Sequence, residues 1–165
     1  MEFIEVKEEH YPVILQIAHK TWPVAFKDIL STQQINYMLE MMYSIKSIKN
    51  QIYNLHHKYV LVKDKKHGFL GYISYEVDYK PLVTKIHKIY VLPEAQGRGI
   101  GKILIEKAEF FAGEKGNITL SLNVNRFNKA IQFYERMGFR ICGSEDIDIG
   151  NGFLMEDYIM NKDFM

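Results

Sequence analysis

The spacing of hydrophobic residues changes several times along the chain and divides it into helices and strands. Residues 3–7 alternate apolar and charged side chains, which predicts a half-buried β-strand. A helical spacing follows from Glu8 to Lys20, with Pro12 in its first turn. We expect the sequence Thr21-Trp22-Pro23 to break this helix, because proline cannot donate a backbone hydrogen bond.

Two more helices are predicted before the period changes. Ser31 is a candidate N-cap, and Gln34 three residues later completes a capping-box pattern. Another helical segment is expected from about Ile45 to Leu55. The apolar stripes of these two helices consist of Ile35, Met38, Leu39 and Met42 in the first and Ile48, Ile52 and Leu55 in the second.

From Tyr59 onward, strand-like and helix-like segments alternate. Residues 59–62 and 69–77 predict a hairpin around a charged turn. A strand at 85–92, a helix at 102–115 and a strand at 118–124 predict a β-α-β unit, whose strands are parallel because a helix connects them. A short helix from Asn128 to Met137 and two paired strands, 139–149 and 153–160, complete the order β-α-α-β-β-β-α-β-α-β-β.

Composition limits the kinds of partner. A chain of 165 residues suits a single domain, and its net charge of +1 comes from intermingled acidic and basic residues. This charge pattern argues against a nucleic-acid partner. No apolar run reaches the roughly 20 residues that a helix needs to span a bilayer. The single cysteine, Cys142, is expected to be a small buried hydrophobe in a cytoplasmic protein. Exposed edges of a mixed sheet favour a homodimer.

The glycine-rich sequence between the strand at 85–92 and the following helix is the strongest chemical signal. It predicts an anion site, because the first N–H groups of a helix lack internal partners and the helix dipole favours negative charge. The spacing of Gly97, Gly99 and Gly101 excludes both a Walker loop and a dinucleotide-binding fingerprint, since Lys102 or Leu104 stands where another glycine is needed.

The remaining pattern, Gln-x-x-Gly-x-Gly, resembles the cofactor-binding motif of the GCN5-related N-acetyltransferases (GNAT family). The resemblance covers nearly the whole chain and implies an α/β fold with a mixed, mostly antiparallel sheet of about seven strands. In that fold the fourth and fifth strands are parallel and splayed apart, and helices cover both faces of the sheet. It also implies that acetyl-coenzyme A is bound, with no metal, by Gln96, Gly97, Arg98, Gly99, Ile100, Gly101 and Lys102, and along Ile89, Tyr90 and Val91.

A second stretch, Ala130 to Phe139, resembles the other family signature, Ala-Ile-x-x-Tyr-x-x-x-Gly-Phe. In the family the tyrosine that corresponds to Tyr134 gives a proton to the departing thiolate. A packed aromatic is the alternative role. Phe127 occupies the position of the family's cofactor-binding asparagine, which leaves Asn128, or Asn125, as the candidate. Asn128 is also a candidate helix N-cap.

The family often places a glutamate on the fourth strand as general base, but this chain has Lys85, His87 and Lys88 there. His87 is a candidate base because of its ordinary pKa, and Glu76 and Asp78 are rivals. A structural role for His87 is the alternative. His56 and His57 are adjacent and have no ligand-type neighbour at metal-binding spacing, so no metal site is predicted.

The resemblance therefore predicts one N-acetyltransferase domain over residues 1–165. Residues 1–57 supply the first strand and the acceptor-side helices, residues 85–115 the cofactor-binding strand, loop and helix, and residues 118–139 the second motif. A small amine such as a polyamine is the predicted acceptor. Protein N-terminal or lysine acetylation and a non-enzymatic coenzyme A-binding domain are the alternatives. Aromatic, Met and acidic residues of segment 20–57 are candidates for the acceptor side, namely Trp22, Phe26, Tyr37, Met41, Met42, Tyr43, Asp28 and Glu40. Core packing is the alternative for the apolar residues, and ordinary solvated charge for the two acidic ones.

Overall fold

A computed structural model of the protein describes residues 1–164. Its strands are β1 (Glu2–Glu5), β2 (Lys58–Asp64), β3 (Gly68–Lys80), β4 (Val83–Val91), β5 (Thr119–Asn125), β6 (Arg140–Gly150) and β7 (Phe153–Asp163). The α-helices are α1 (Tyr11–Phe26), α2 (Thr32–Met42), α3 (Ile45–Tyr53), α4 (Ile100–Glu114) and α5 (Ala130–Arg136). Within the described part of the chain, three α-helices separate β1 from β2, as the three predicted helical segments indicate, whereas the predicted element order gave only two.

The strands form a mixed sheet in the order β1-β2-β3-β4-β5-β7-β6. β4 and β5 are parallel, while β1/β2, β2/β3, β5/β7 and β6/β7 are antiparallel, so the predicted fold class is confirmed. The parallel orientation follows from the connection through α4. The parallel ladder joins residues 83–86 to residues 119–122, although β4 itself continues to Val91.

The described chain packs into two compact units, one of residues 1–76 with 87–107 and one of residues 77–86 with 108–164. Large, fully buried apolar side chains form the core of each unit. In the first unit they include Ile14, Ile48, Leu61, Tyr72 and Ile73, and in the second unit Leu120, Leu122 and Met160. The single domain over residues 1–165 stays a prediction.

Helix α1 continues through the residues that were expected to break it, so that prediction was wrong. The Thr21 hydroxyl donates to the carbonyls of Ile17 (2.9 Å) and Ala18 (3.2 Å), which satisfies it inside the helix. Trp22 and Phe26 are both buried, one turn apart. Burial of these rings offsets the single backbone hydrogen bond that Pro23 cannot donate.

Side-chain caps begin the next two helices. The Ser31 hydroxyl accepts from the backbone N–H of Gln34 at 3.1 Å, which confirms the predicted N-cap of α2. Ser44 caps α3 in the same way through Ser47 at 3.0 Å. Leu55 does not belong to the buried stripe of α3, because the helix ends at Tyr53 and Leu55 is 47% exposed. Gln51 is buried there instead.

Cys142 lies exposed on β6, so the prediction of a buried cysteine was wrong; β6 is the last strand in the sheet order and most of its residues are exposed. Among residues 1–164, no helix is long and apolar enough to cross a membrane.

Candidate active site

The glycine loop before α4 has the backbone of an anion cradle. Gly97 and Gly99 have φ angles of +78° and +77°, a left-handed conformation that favours glycine. A Cβ atom added to either residue would meet no other atom within 4 Å, so the loop borders open space. The Ile103 N–H donates to the Gly99 carbonyl at 3.1 Å, which places the unpaired N–H groups of α4 directly after Gly99. A phosphate group fits this arrangement of donors and open space.

Two side chains of the loop hold it to its own unit. The Gln96 amide donates to the Val91 carbonyl at 3.2 Å, and Arg98 contacts the Asp64 carboxylate at 3.1 Å. Hydrogen bonds from the ring and backbone of His67, and then from Arg98, hold the pKa of Asp64 well below its usual range. Lys102 is largely exposed, 3.8 Å from Glu106. The charge of Arg98 is therefore partly balanced, whereas Lys102 lies on the surface.

The end of β4 has one hydrogen-bonding edge directed away from β3. The Leu92 N–H donates to the Leu70 carbonyl at 2.8 Å, so Leu92 faces β3. Because successive residues of an extended chain face opposite edges, the N–H of Val91 points to the other edge, as does that of Ile89 by the same alternation. The parallel ladder of that edge ends at Ile86. Ile89, Tyr90 and Val91 are all half-buried.

Tyr134 lies in α5 and is only 8% exposed. Its ring packs edge-on against Phe133 (centroids 5.3 Å apart) and Phe139 (5.8 Å). Burial raises the pKa of the Tyr134 hydroxyl, because the phenolate would lose its hydration. The buried hydroxyl is thus a weaker acid than a tyrosine in water, and a better hydrogen-bond donor than proton donor.

The asparagines near α5 are engaged in local turns. The Asn128 side-chain oxygen accepts from the Ala130 N–H at 2.9 Å, and that of Asn125 accepts from the Phe127 N–H at 2.9 Å. Phe127 is exposed. The N-cap of α5 is Lys129, so the alternative role of Asn128 as the N-cap was wrong, and its side chain instead closes the turn just before the helix. The predicted contact of Asn128 with the cofactor stays a prediction.

The candidate bases His87 and Glu76 come together, with a histidine that the sequence did not place there. The Nε2 atom of His87 lies 2.9 Å from Oε1 of Glu76, and Nε2 of His57 lies 3.9 Å from the same oxygen. The two imidazole rings stack, with centroids 3.8 Å apart and planes 15° apart. Burial, followed by repulsion from His87 and Lys88, lowers the pKa of His57 to about 3.

Sequence reasoning missed His57 because its partners are distant in the chain, on β3 and β4. The rival base Asp78 has a different role. Its carboxylate accepts from the Asn117 amide at 2.7 Å, and its backbone N–H donates to the Asn117 oxygen at 3.0 Å. These bonds hold a residue with a φ angle of +55° near the end of β3. These contacts give Asp78 a structural role at an irregular position within β3.

Lys88 is a second residue whose environment the sequence did not indicate. Its Nζ atom donates to Oε1 of Gln51 at 2.6 Å and to the Tyr59 hydroxyl at 2.8 Å, and lies 4.9 Å from the centre of the Tyr43 ring. Burial lowers the pKa of Lys88 to about 7. Strand alternation was the available signal, because it places Lys88 on the same face as the apolar residues Ile86 and Tyr90.

Three of the candidate acceptor-side residues in segment 20–57 belong to the core. Trp22, Phe26 and Tyr43 are buried, and the Trp22 ring packs against Phe26, with centroids 4.6 Å apart. The predicted acidic residues Asp28 and Glu40 are exposed. The remaining predicted lining residues, Tyr37 and Met42, are half-buried, and Met41 is exposed.

A model of the acetyltransferase (GNAT) family matches residues 13–139, which include both the glycine loop and Tyr134. The chain belongs to this family. The resemblance inferred from the two motifs is confirmed.

Members of the GNAT family resemble the chain over different lengths. The chain is 26% identical to a spermidine N(1)-acetyltransferase of Thermoplasma acidophilum, over 94% of this chain and 96% of that protein. It is 48% identical to an uncharacterized N-acetyltransferase of Methanocaldococcus jannaschii over 58 residues, which are 34% of this chain and 26% of that protein. The chain thus spans about a quarter of the length of the second relative.

A solved structure shares the fold of this GNAT chain. The PaiA N-acetyltransferase of Thermoplasma acidophilum in complex with coenzyme A superimposes with a TM-score of 0.82 at 23% identity, covering 99% of this chain and 98% of that one. At this identity the similarity establishes the fold.

Proposed function

We propose that this protein is an acetyl-coenzyme A-dependent N-acetyltransferase that transfers the acetyl group directly to a primary amine of a small molecule such as a polyamine. The observation that carries the proposal is the glycine loop, where left-handed Gly97 and Gly99 border open space at the start of α4. Membership of the GNAT family supports the same donor.

The loop and the end of β4 are proposed to hold the donor. Backbone N–H groups of residues 97–101 would bind the pyrophosphate, with Gln96, Arg98 and Lys102 beside them. The edge of Ile89, Tyr90 and Val91 that faces away from β3 would pair with the amide groups of the pantetheine arm, and the Val91 N–H would polarise the acyl carbonyl. When bound, acetyl-coenzyme A supplies an activated acetyl thioester.

A proton acceptor is needed because an alkylamine is charged near neutral pH. With a pKa near 10.4, fewer than about one molecule in a thousand is neutral at pH 7, which costs about 4 to 5 kcal/mol. We propose that Glu76 and His87 act together. Nε2 of His87 lies 2.9 Å from Oε1 of Glu76, and in the proposed tautomer neutral His87 donates its Nε2 hydrogen to this carboxylate and uses Nδ1 as the basic nitrogen. The carboxylate also stabilises the imidazolium that forms.

Tyr134 is proposed to assist the leaving group through a hydrogen bond. Because burial raises its pKa, its hydroxyl keeps its proton and donates to the sulfur as negative charge develops there. Asn128 stays a further candidate for a cofactor contact, through the amide nitrogen that its turn does not use.

A small amine is favoured as the acceptor by the full-length relative from Thermoplasma acidophilum, which is a spermidine N(1)-acetyltransferase. The half-buried carboxylate of Glu76 offers a negative charge to a cationic amine. The homodimer and the cytoplasmic location stay predictions.

The acceptor class can be tested by incubating the protein with acetyl-coenzyme A and a panel of polyamines, other small amines, and peptides with free N-termini or lysines. We expect thiol release above the hydrolysis background with at least one small amine, and acetylated product of the corresponding mass. A His87→Ala variant should release thiol about 100-fold or more slowly with the same affinity for coenzyme A, since it lacks the proton acceptor.

The alternatives give different results in the same assay. Thiol release with peptides alone would replace the small amine by a protein N-terminus or lysine. Thermal stabilisation by coenzyme A without turnover of any acceptor would favour a non-enzymatic coenzyme A-binding domain. Absence of both effects would overturn the proposed function.

A further inference from the structure

The cluster of His57, Glu76 and His87 has the composition of a transition-metal site. Two imidazole nitrogens and one carboxylate oxygen lie within 4.8 Å of one another. The side chains are 11%, 21% and 21% exposed, respectively, so the cluster is enclosed by protein and still reached by solvent. The chain order did not indicate it, because His57 precedes β2 while Glu76 and His87 lie on β3 and β4.

We propose that His57, Glu76 and His87 form a binding site for Zn²⁺ or a similar divalent transition-metal ion. Imidazole and carboxylate are ligands of Zn²⁺, and two histidines with one glutamate leave a fourth tetrahedral position for water. Mg²⁺ and Ca²⁺ are disfavoured because they prefer sites made of oxygen atoms. The carboxylate offsets one of the two positive charges of the ion.

The required movement is small. Ligand atoms about 2.0 to 2.2 Å from a tetrahedral Zn²⁺ lie roughly 3.3 Å apart. The two Nε2 atoms are now 2.9 and 3.9 Å from Oε1 of Glu76. The main adjustment is a rotation of the rings out of their 15° stack, so that both nitrogen lone pairs point at one ion. Rotation about χ2, a soft torsion in histidine, is the motion that this adjustment would use.

Metal binding at this site would block acetyl transfer. This part of the inference rests on the proposed function, in which Glu76 and His87 accept a proton. Glu76 and His87 cannot hold Zn²⁺ and accept the proton of the amine at the same time. The ion would thus compete with the amine proton for Glu76 and His87, and it would act as an inhibitor rather than as a cofactor. Metal binding itself does not depend on the acceptor or on turnover.

The test titrates the whole protein with Zn²⁺ in competition with a chromophoric chelator, and separately with Co²⁺, whose visible absorption reports tetrahedral coordination. We expect one ion per chain and binding that is weaker by at least about 10- to 100-fold in His57→Gln and His87→Gln, because losing a direct ligand should cost no less than losing a group that only orients one. His56→Gln is the matched control, because this exposed neighbour has no place in the cluster. Circular dichroism checks that each variant is folded.

Inhibition is followed by transfer of a labelled acetyl group, because Zn²⁺ also binds the free thiol of coenzyme A. Zn²⁺ should slow the wild type and His56→Gln in proportion to occupancy, and His57→Gln much less. Failure to bind Zn²⁺, or equal binding by His57→Gln and the wild type, would overturn the metal site. Binding without inhibition would overturn the competition alone, and an inactive protein that binds Zn²⁺ would count against the proposed function and not against the site.

Discussion

At the scale of single residues, environment changes what a side chain can do without changing its identity. Tyr134 is buried, and its pKa is raised. Lys88 is buried as well, and its pKa falls to about 7. In both cases removal of water disfavours the charged form, which is the phenolate of tyrosine and the ammonium of lysine. A role that depends on charge therefore has to be judged from burial as well as from residue type.

Replacing Tyr134 by phenylalanine tests its role as a hydrogen-bond donor. We expect kcat to fall about 10- to 100-fold, because a hydrogen bond to a developing charge contributes about 1.5 to 3 kcal/mol. The dissociation constant of coenzyme A should stay nearly unchanged, as measured by calorimetry. Phe133→Leu, which alters a neighbouring ring but no hydroxyl, is the control. Equal turnover by Tyr134→Phe and the wild type would remove Tyr134 from the chemistry.

Replacing Gly99 by glutamate tests the anion cradle. Glutamate would bring bulk and negative charge to the open space beside the loop, so coenzyme A binding should be lost in a calorimetric titration. Gly152→Glu is a matched control, because Gly152 has a φ angle of +78° and an equally open surrounding in the turn after β6. Both variants carry about 1 to 2 kcal/mol of backbone strain. Wild-type affinity in Gly99→Glu would contradict the cradle.

At the scale of elements, the amphipathic pattern and caps place most helices and strands, and packing decides where some of them end. Ser31 starts α2 as its sequence indicates. Helix α1 passes Pro23 because buried Trp22 and Phe26 hold its last turn against the rest of its unit. Close approach of β3 and β4 is likewise a property of packing, and it depends on a glycine.

Gly71 is expected to allow the backbones of β3 and β4 to approach each other closely. A Cβ atom at this position would lie 2.5 Å from the Tyr90 carbonyl oxygen, which is backbone and cannot turn away. Gly71→Ala should lower the free energy of unfolding by about 1 to 3 kcal/mol in urea titrations. Gly143→Ala in β6, where the nearest atom would be the Ile159 side chain at 3.8 Å, should be close to neutral. Similar losses in both variants would contradict this explanation.

At the scale of the whole molecule, ligand binding is coupled to stability. A ligand that binds only the folded protein stabilises it by about 2.7 kcal/mol at 100 times its dissociation constant. For a chain of 165 residues this corresponds to a rise in melting temperature of roughly 5 to 11 °C. We expect coenzyme A to produce this shift in the wild type and not in Gly99→Glu. The same shift in both proteins would place the binding site elsewhere.

The family, the mixed sheet with parallel β4 and β5, and the position of the glycine loop could all be predicted from the amino-acid sequence. These features depend on neighbouring elements of the chain: three glycines between a strand and a helix form the loop, and the helix that directly connects β4 to β5 makes these strands parallel. The contacts between side chains from distant elements could not be predicted in this way and became visible in the folded structure. His57, Glu76 and His87 come together from separate elements, and Lys88 becomes buried, because strand pairing and core packing join residues far apart in the chain.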